Sequence, residues 1–234
     1  MDYAALATNF DEQGYLHIPA FFDDELMTRI NRTCLAHFGM NPDWEHTDEF
    51  IKASNCEIVP WFPLREGVEE FREIEKHAGL YQLTQAILGD GWNSLYCMSM
   101  FSKQGTAGQA WHQDSPPDDP SQFNLNRLVY THDITEEIGG QVVVVPGSHK
   151  RGIITVGDPN EVFDDQTVLL PKKGDLVLLH GHCWHRVLPV TGAYRLSTNF
   201  RAMPSGTPEE ITDTAIYRNM KYYFPTNEVV EERV

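Results

Sequence analysis

"GDLVLLHGHCWHRVLPVTGAYRLSTNFRA", residues 174–202, decides the fold. Three short runs, "DLVLLHG", "CWHRVLPV" and "AYRLSTNFRA", follow one another with Gly, Pro and Asp turns at their ends. Brief apolar and β-branched runs punctuated this way read as strands of a sandwich or barrel. On a strand, alternate residues share a face. Arg195, Ser197, Asn199 and Arg201 then lie on one face, and Tyr194, Leu196, Thr198 and Phe200 on the other. A polar face inside a β core needs a reason, because buried polar groups and charges are costly unless paired.

Working outward, the same signature recurs upstream in "SLYCMSMFSK", "NRLVYTHDI", "GQVVVVPG" and "QTVLLP". Residues from about 92 to 203 therefore form a β-barrel core. Before it, "DYAALATNFDEQ" reads as a helix and "YLHIPAF" as a strand. "DDELMTRINRTCLAHFG" is a helix with acidic residues at its start and Gly39 at its end. Residues 41–63 are irregular and aromatic, with Trp44, Phe50, Trp61 and Phe62. "VEEFREIEKHAGLYQLTQAILGDG" has helical spacing, so residues 1–91 are a mostly helical support packed outside the barrel. The last stretch, 204–234, includes a helical pattern, "PEEITDTAIYRNMKYYF". With 234 residues and no internal repeat, one domain over 1–234 is expected.

The formal net charge of −16 argues against nucleic acid and anionic membranes, both of which need basic patches. Cys34, Cys56, Cys97 and Cys183 are scattered, without zinc-like spacing. The start has no basic region followed by an apolar run, no run suits a membrane span, and "EERV" is no peroxisomal address. These features point to a cytoplasmic protein acting on a small molecule, and leave its oligomeric state unknown.

The chemistry centres on "WHQDSPPDD", residues 111–119. His112 and Asp114 project together from a strand, with Gln113 pointing away. An imidazole and a carboxylate on one face are two ligands of a divalent metal. A third must come from elsewhere, and "LLHGHCWHRVL" offers His180, His182 and His185. Arg195, with the Ser197 hydroxyl beside it, presents a planar fork suited to a carboxylate.

In these residues the chain resembles the phytanoyl-CoA dioxygenase family of Fe(II)- and 2-oxoglutarate-dependent oxygenases. His112-Gln113-Asp114 matches the family's HxD pair, and "EEIGGQVVVVPGSHKRG", residues 136–152, its glycine-proline signature. "GDLVLLHGHCWH" leads to the distal histidine, and Arg195 follows His185 by ten residues, close to the family's usual gap. The opening "DEQGYLHIPAFFDDEL" is also similar. The resemblance implies a double-stranded β-helix, a jelly-roll, cupin-like barrel with flanking helices. It implies Fe(II) on His112, Asp114 and His185, with 2-oxoglutarate and O2 as cosubstrates. Arg195 and Ser197 would hold the far carboxylate, and Tyr130 and Lys103 would lie near it.

His182 is left as an alternative ligand, while His180 and His149 are expected to serve packing. Trp44, Trp61, Phe62 and Trp111 are core first and pocket wall second. In related halogenases a small residue replaces the carboxylate, so Asp114 implies oxygenation. The expected activity is hydroxylation, or other oxidation, of a C–H bond in a small metabolite or natural-product intermediate, releasing succinate and CO2. The competing readings are a cupin-type metal enzyme without 2-oxoglutarate and a non-catalytic iron or 2-oxoglutarate sensor. Segments 41–63 and 152–165 are expected to cover the pocket, as long connections often do.

Overall fold

The computed structural model describes residues 1–40 and 57–234. Two antiparallel sheets face each other. The first runs β1 (Tyr15–Ile18), β8 (Leu176–His180), β5 (Leu125–Val129), β10 (Tyr194–Met203), β3 (Asn93–Lys103) and β2 (Val59–Trp61). The second runs β13 (Glu228–Glu232), β12 (Met220–Tyr223), β11 (Thr214–Tyr217), β4 (Gln109–Gln113), β9 (His185–Val187), β6 (Val142–Val144) and β7 (Thr167–Leu169). This is the expected jelly-roll, cupin-like barrel, built mainly of β structure with helices outside it.

The period-two pattern sorts side chains into three layers. Between the sheets lie Leu128, Tyr130, Val142, Val144, Val177, Leu179 and Val187. Their alternates point outward: Val143 and Val145 pack with Trp111, Trp184 and Ile216 behind the second sheet. Leu176, Leu178, Leu196 and Phe200 pack behind the first. That outer face is covered by α1 (Tyr3–Gln13), α2 (Asp24–Met40), α3 (Glu70–Glu75) and α4 (Ala78–Leu88), which contribute Phe10, Met27, Ile30, Phe71, Ile74, Leu80 and Leu83. Each fully buried large apolar side chain contributes about 1.5–3 kcal/mol, so this layer fixes the sheet that carries Arg195.

Several sequence expectations change, among them the irregular reading of 59–61, which is strand β2 paired with β3. The helical stretch at 68–91 is two helices, broken where His77 Nδ1 accepts the Leu80 amide hydrogen and caps α4. The C-terminal helix expected over 208–224 is a 3-10 turn, Glu209–Thr212, followed by β11 and β12. Ile216 and Tyr217 pair with Gln113 and His112 of β4, and Ala215, Tyr217, Met220 and Tyr222 bury together. The open edge of β4 offers main-chain partners that outweigh a weak helical spacing. Strand β1, from the N-terminal support, pairs with β8 and belongs to the barrel.

Segment 152–165 does not cover the space between the sheets. Trp111 Nε1 donates to Glu161 O at 2.7 Å, Arg186 Nη1 to Asn160 O at 2.7 Å, and Arg218 to Thr155 O and Asp158 O at 2.9 and 2.7 Å. Ile154 and Phe163 join the cluster behind the second sheet. The segment is a cover for that outer face. Of the other expected cover, 41–63, residues 41–56 lie outside the described residues, Trp44 and Phe50 among them. Among the described residues, no helix is long and apolar enough to cross a membrane.

Candidate metal centre

His112 on β4 stands opposite His185 on β9 in the antiparallel register, and their ring centroids are 4.1 Å apart. After Gln113 the chain turns. The Asp114 amide donates to Gly181 O at 2.8 Å, which fixes the residue beside the two rings. Gly181 itself has no room for a side chain: a Cβ there would lie 2.1 Å from Asn124 Oδ1 and 2.5 Å from Ser115 Oγ. Asp114 Oδ2 lies 3.4 Å from His185 Nε2, and Oδ1 lies 3.8 Å from His112 Nε2. One ligand atom from each of the three falls within 4.8 Å of the others, a set able to hold a metal ion.

The backbone selects the tautomer. His112 Nδ1 is 2.8 Å from Ala110 O, and His185 Nδ1 is 2.8 Å from Cys183 O. A carbonyl oxygen only accepts, so each Nδ1 carries the proton and each Nε2 keeps its lone pair. Burial, reinforced by the His185 ring, pushes the His112 pKa down to about 3, so the neutral, ligating form persists at neutral pH. Tyr217 stacks on His112 at 5.2 Å between centroids and holds the ring plane. The donor set, two imidazoles and a carboxylate with open positions, suits non-haem Fe(II).

Burial opposes ionisation of Asp114, yet the Arg201 guanidinium beside it, the largest of the opposing influences, holds its carboxyl well below the usual carboxylate range. Arg201 Nη2 is 2.9 Å from Oδ1, and Asn126 Nδ2 donates to Oδ2 at 2.7 Å. Sequence reading gave Arg201 and Asn126 no role. Alternation placed Arg201 on the face of Arg195, but nothing local linked Arg201 or Asn126 to Asp114.

Arg195 is 2% exposed. Its Nε donates to Gly140 O at 2.7 Å, Nη1 to Ser197 Oγ at 3.2 Å, and Nη2 lies 3.5 Å from the Tyr130 hydroxyl. All three are neutral oxygens, and among the described residues no acidic side chain pairs with it. A buried guanidinium in this state awaits an anion, which fits the far carboxylate of 2-oxoglutarate. Gly140 explains the glycine pair at 139–140: it has φ +68°, and a Cβ would sit 2.4 Å from Arg195 Cδ. The structure thus brings Ser197 and Tyr130 to Arg195. It does not bring Lys103, which pairs with Tyr194 and shares the outward face of Phe101 and Leu196, whereas Ser102 stands opposite Arg195.

The remaining candidates are placed as follows. His182 is buried away from the triad beside His180, whose ring stacks on Phe123 at 3.8 Å and whose Nδ1 accepts the His182 amide hydrogen. His149 Nε2 donates to Asp11 O. Trp61 is core, stacked on His37 at 4.0 Å, and Trp111 is fully buried behind the second sheet. Phe62 meets Tyr96 edge-on. Tyr96, Met98 and Met100 share the inward face opposite Arg201, Asn199 and Ser197 and are only half-buried, while outward Cys97 and Ser99 are buried. Among the described residues, the inner side of β3 is therefore less covered than its outer side.

The chain matches the family model described as Phytanoyl-CoA dioxygenase (PhyH) over residues 10–196. No curated protein matches it. Among solved structures it is similar to the epimerase SnoN in complex with Fe3+, alpha ketoglutarate and nogalamycin RO. The identity is 17%, the TM-score 0.67, and the match covers 92% of this chain and 86% of that one. The carbocyclase SnoK from nogalamycin biosynthesis gives 18%, 0.67, 91% and 85% on the same measures. HygX from Streptomyces hygroscopicus, with nickel and 2-oxoglutarate bound, gives 18%, 0.64, 86% and 86%. At such identities the likeness carries the fold. The family model spans most of the chain, and the protein belongs to the phytanoyl-CoA dioxygenase family, as an iron- and 2-oxoglutarate-dependent dioxygenase.

Proposed function

We propose that the protein oxidises a C–H bond of a small metabolite or natural-product intermediate, at a centre held by His112, Asp114 and His185. The observation that carries this reading is the pairing of two sites in one barrel interior. One is a largely buried triad with both Nε2 lone pairs directed inward; the other is a buried Arg195 fork that, among the described residues, meets only neutral oxygens. When bound, iron with 2-oxoglutarate and O2 supplies the oxidation, yielding succinate, CO2 and a substrate carrying one added oxygen in the hydroxylation case.

The chain's own residues bind and orient. Arg195 and Ser197 hold the far carboxylate of 2-oxoglutarate by charge-assisted hydrogen bonds, and the Tyr130 hydroxyl borders that pocket. Burial raises the Tyr130 pKa against the pull of Arg195, so the phenol stays protonated and can donate. Tyr96, Met98, Met100 and Phe62 line this less covered side, where substrate enters; methionine there adapts to irregular apolar shapes. A cupin-type enzyme without 2-oxoglutarate would have no use for the unpaired fork of Arg195. Asp114, present where halogenases carry a small residue, favours oxygenation. SnoN is described with nogalamycin RO and HygX with hygromycin B, which supports a natural-product substrate.

We read residues 1–234 as one catalytic domain, because β1 and β11–β13, near its two ends, are strands of the same two sheets. The net charge of −16 disfavours nucleic acid and anionic membranes as partners, and we place the enzyme in the cytoplasm. The test is succinate formation from 2-oxoglutarate by the Fe(II)-loaded protein under air, with and without a panel of natural products that includes nogalamycin RO and hygromycin B. Substrate-stimulated succinate with a product heavier by one oxygen is expected. No succinate under any condition, from protein that retains iron, would contradict the reading.

A further inference from the structure

Arg201 is the most tightly tied side chain near the metal centre that neither the metal nor the cosubstrate uses. It is 8% exposed and faces inward from β10. Each arm of its guanidinium has a separate partner. Nε donates to Asn126 Oδ1 at 2.7 Å, Nη1 to the Tyr96 hydroxyl at 2.7 Å, and Nη2 lies 2.9 Å from Asp114 Oδ1. Asn126 is locked in turn. Its Oδ1 also accepts from Asn199 Nδ2 at 2.8 Å, so its Nδ2 is directed at Asp114 Oδ2. The Asp114 carboxylate is therefore gripped by one donor on each oxygen, and both donors are themselves fixed.

We propose that Arg201 is a positioning residue that keeps Asp114 a one-oxygen metal ligand and, through its charge, raises the reduction potential of the bound metal. This rests on the reading that the triad binds iron. A carboxylate oxygen committed to a guanidinium is a poor second donor to a cation, so the fork blocks a two-oxygen chelate. That matters for the coordination count: three protein atoms leave three octahedral positions, and a chelating aspartate would take one needed by 2-oxoglutarate or O2. A fixed positive charge beside the metal also disfavours its higher oxidation state, because Coulomb repulsion grows with the metal's charge and is little screened in a buried site. Partners one layer beyond the ligands are known levers on both orientation and potential.

Charge and geometry separate in two variants, Arg201→Lys and Arg201→Gln, in the full chain. Lysine keeps the charge but cannot reproduce the three-armed fork; glutamine loses the charge. Two readouts apply: the anaerobic Co(II) ligand-field spectrum, which reports coordination number, and the Fe(III)/Fe(II) midpoint potential by mediated titration. The lysine variant should change the Co(II) spectrum and keep the potential near that of the parent. The glutamine variant should change the spectrum and shift the potential downward. Folded variants in which both readouts equal those of the parent would overturn the proposal. If the glutamine variant does not fold, a parent-like Co(II) spectrum in the lysine variant is enough to overturn the positioning role. A parent chain that takes up neither Co(II) nor Fe(II) would instead contradict the metal-centre reading on which the proposal stands.

Discussion

Arg195 and Arg201 sit on one face of one strand, six residues apart, and both are buried. One difference in their surroundings decides what each can do. Arg201 meets the carboxylate of Asp114, so its charge is answered within the chain. Arg195 meets only Gly140 O, Ser197 Oγ and the Tyr130 hydroxyl, so its charge is answered by nothing described in the chain. A buried ion pair completed internally organises its neighbours; a buried ion without a counter-ion is a receptor for one. In the function proposed above, Arg201 shapes the metal centre and Arg195 receives the cosubstrate.

The comparison can be broken most severely at the carboxylate between metal and Arg201. Asp114→Ala should abolish turnover and leave Arg201 as unpaired as Arg195; full activity by succinate assay would remove Asp114 from the centre. Next in size is Arg195→Ala. Truncating one partner of a buried, hydrogen-bonded charge pair costs about 2–5 kcal/mol, so 2-oxoglutarate should bind roughly 30-fold more weakly or worse. Metal binding should be retained, and isothermal titration of each ligand separates the two. Gly140→Ala should act in the same direction by a smaller amount, about 10-fold, by displacing Arg195 through the Cβ contact and straining a positive φ. An unchanged 2-oxoglutarate affinity would mean that the Arg195 geometry is not what binds it.

The smallest effect concerns pH. Burial, with help from the Arg195 charge, lowers the His132 pKa to about 4, and burial holds His180 well below its usual value. In the unfolded chain both titrate near 6.5. As pH falls below about 6.5 the unfolded state takes up protons that the folded state refuses, so stability is full above that value and declines toward about 4. Thermal melts of metal-free protein between pH 7.5 and 5 should show a falling Tm; a flat profile would contradict the burial assigned to these rings.

Much of this was legible in the sequence, because period-two alternation is local. It placed the strands from 92 to 203, paired His112 with Asp114, and set Ser197 beside Arg195. What was missed depends on contacts between distant segments. Arg201 and Asp114 are 87 residues apart, and no local signal joins them. Lys103 was misplaced by parity: one residue along β3 separates the face of Arg195 from the helix-covered outside. Tyr217 was hidden in a stretch whose spacing also suits a helix, and only the free edge of β4 made it a strand. Segment 152–165 looked like a pocket cover because it is long. Trp111, Arg186 and Arg218, which tie it to the other side of the sheet, are far from it in sequence.

The central claim is that a metal on His112, Asp114 and His185 shares its pocket with a 2-oxoglutarate carboxylate held by Arg195. Anaerobic visible absorption of the apoprotein tests it most directly, adding Fe(II) first and then 2-oxoglutarate. A weak charge-transfer band that requires both additions, and that in Arg195→Ala appears only at far higher 2-oxoglutarate, is the predicted result. Iron binding with no such band at any 2-oxoglutarate concentration would contradict the account and return Arg195 to a purely structural role.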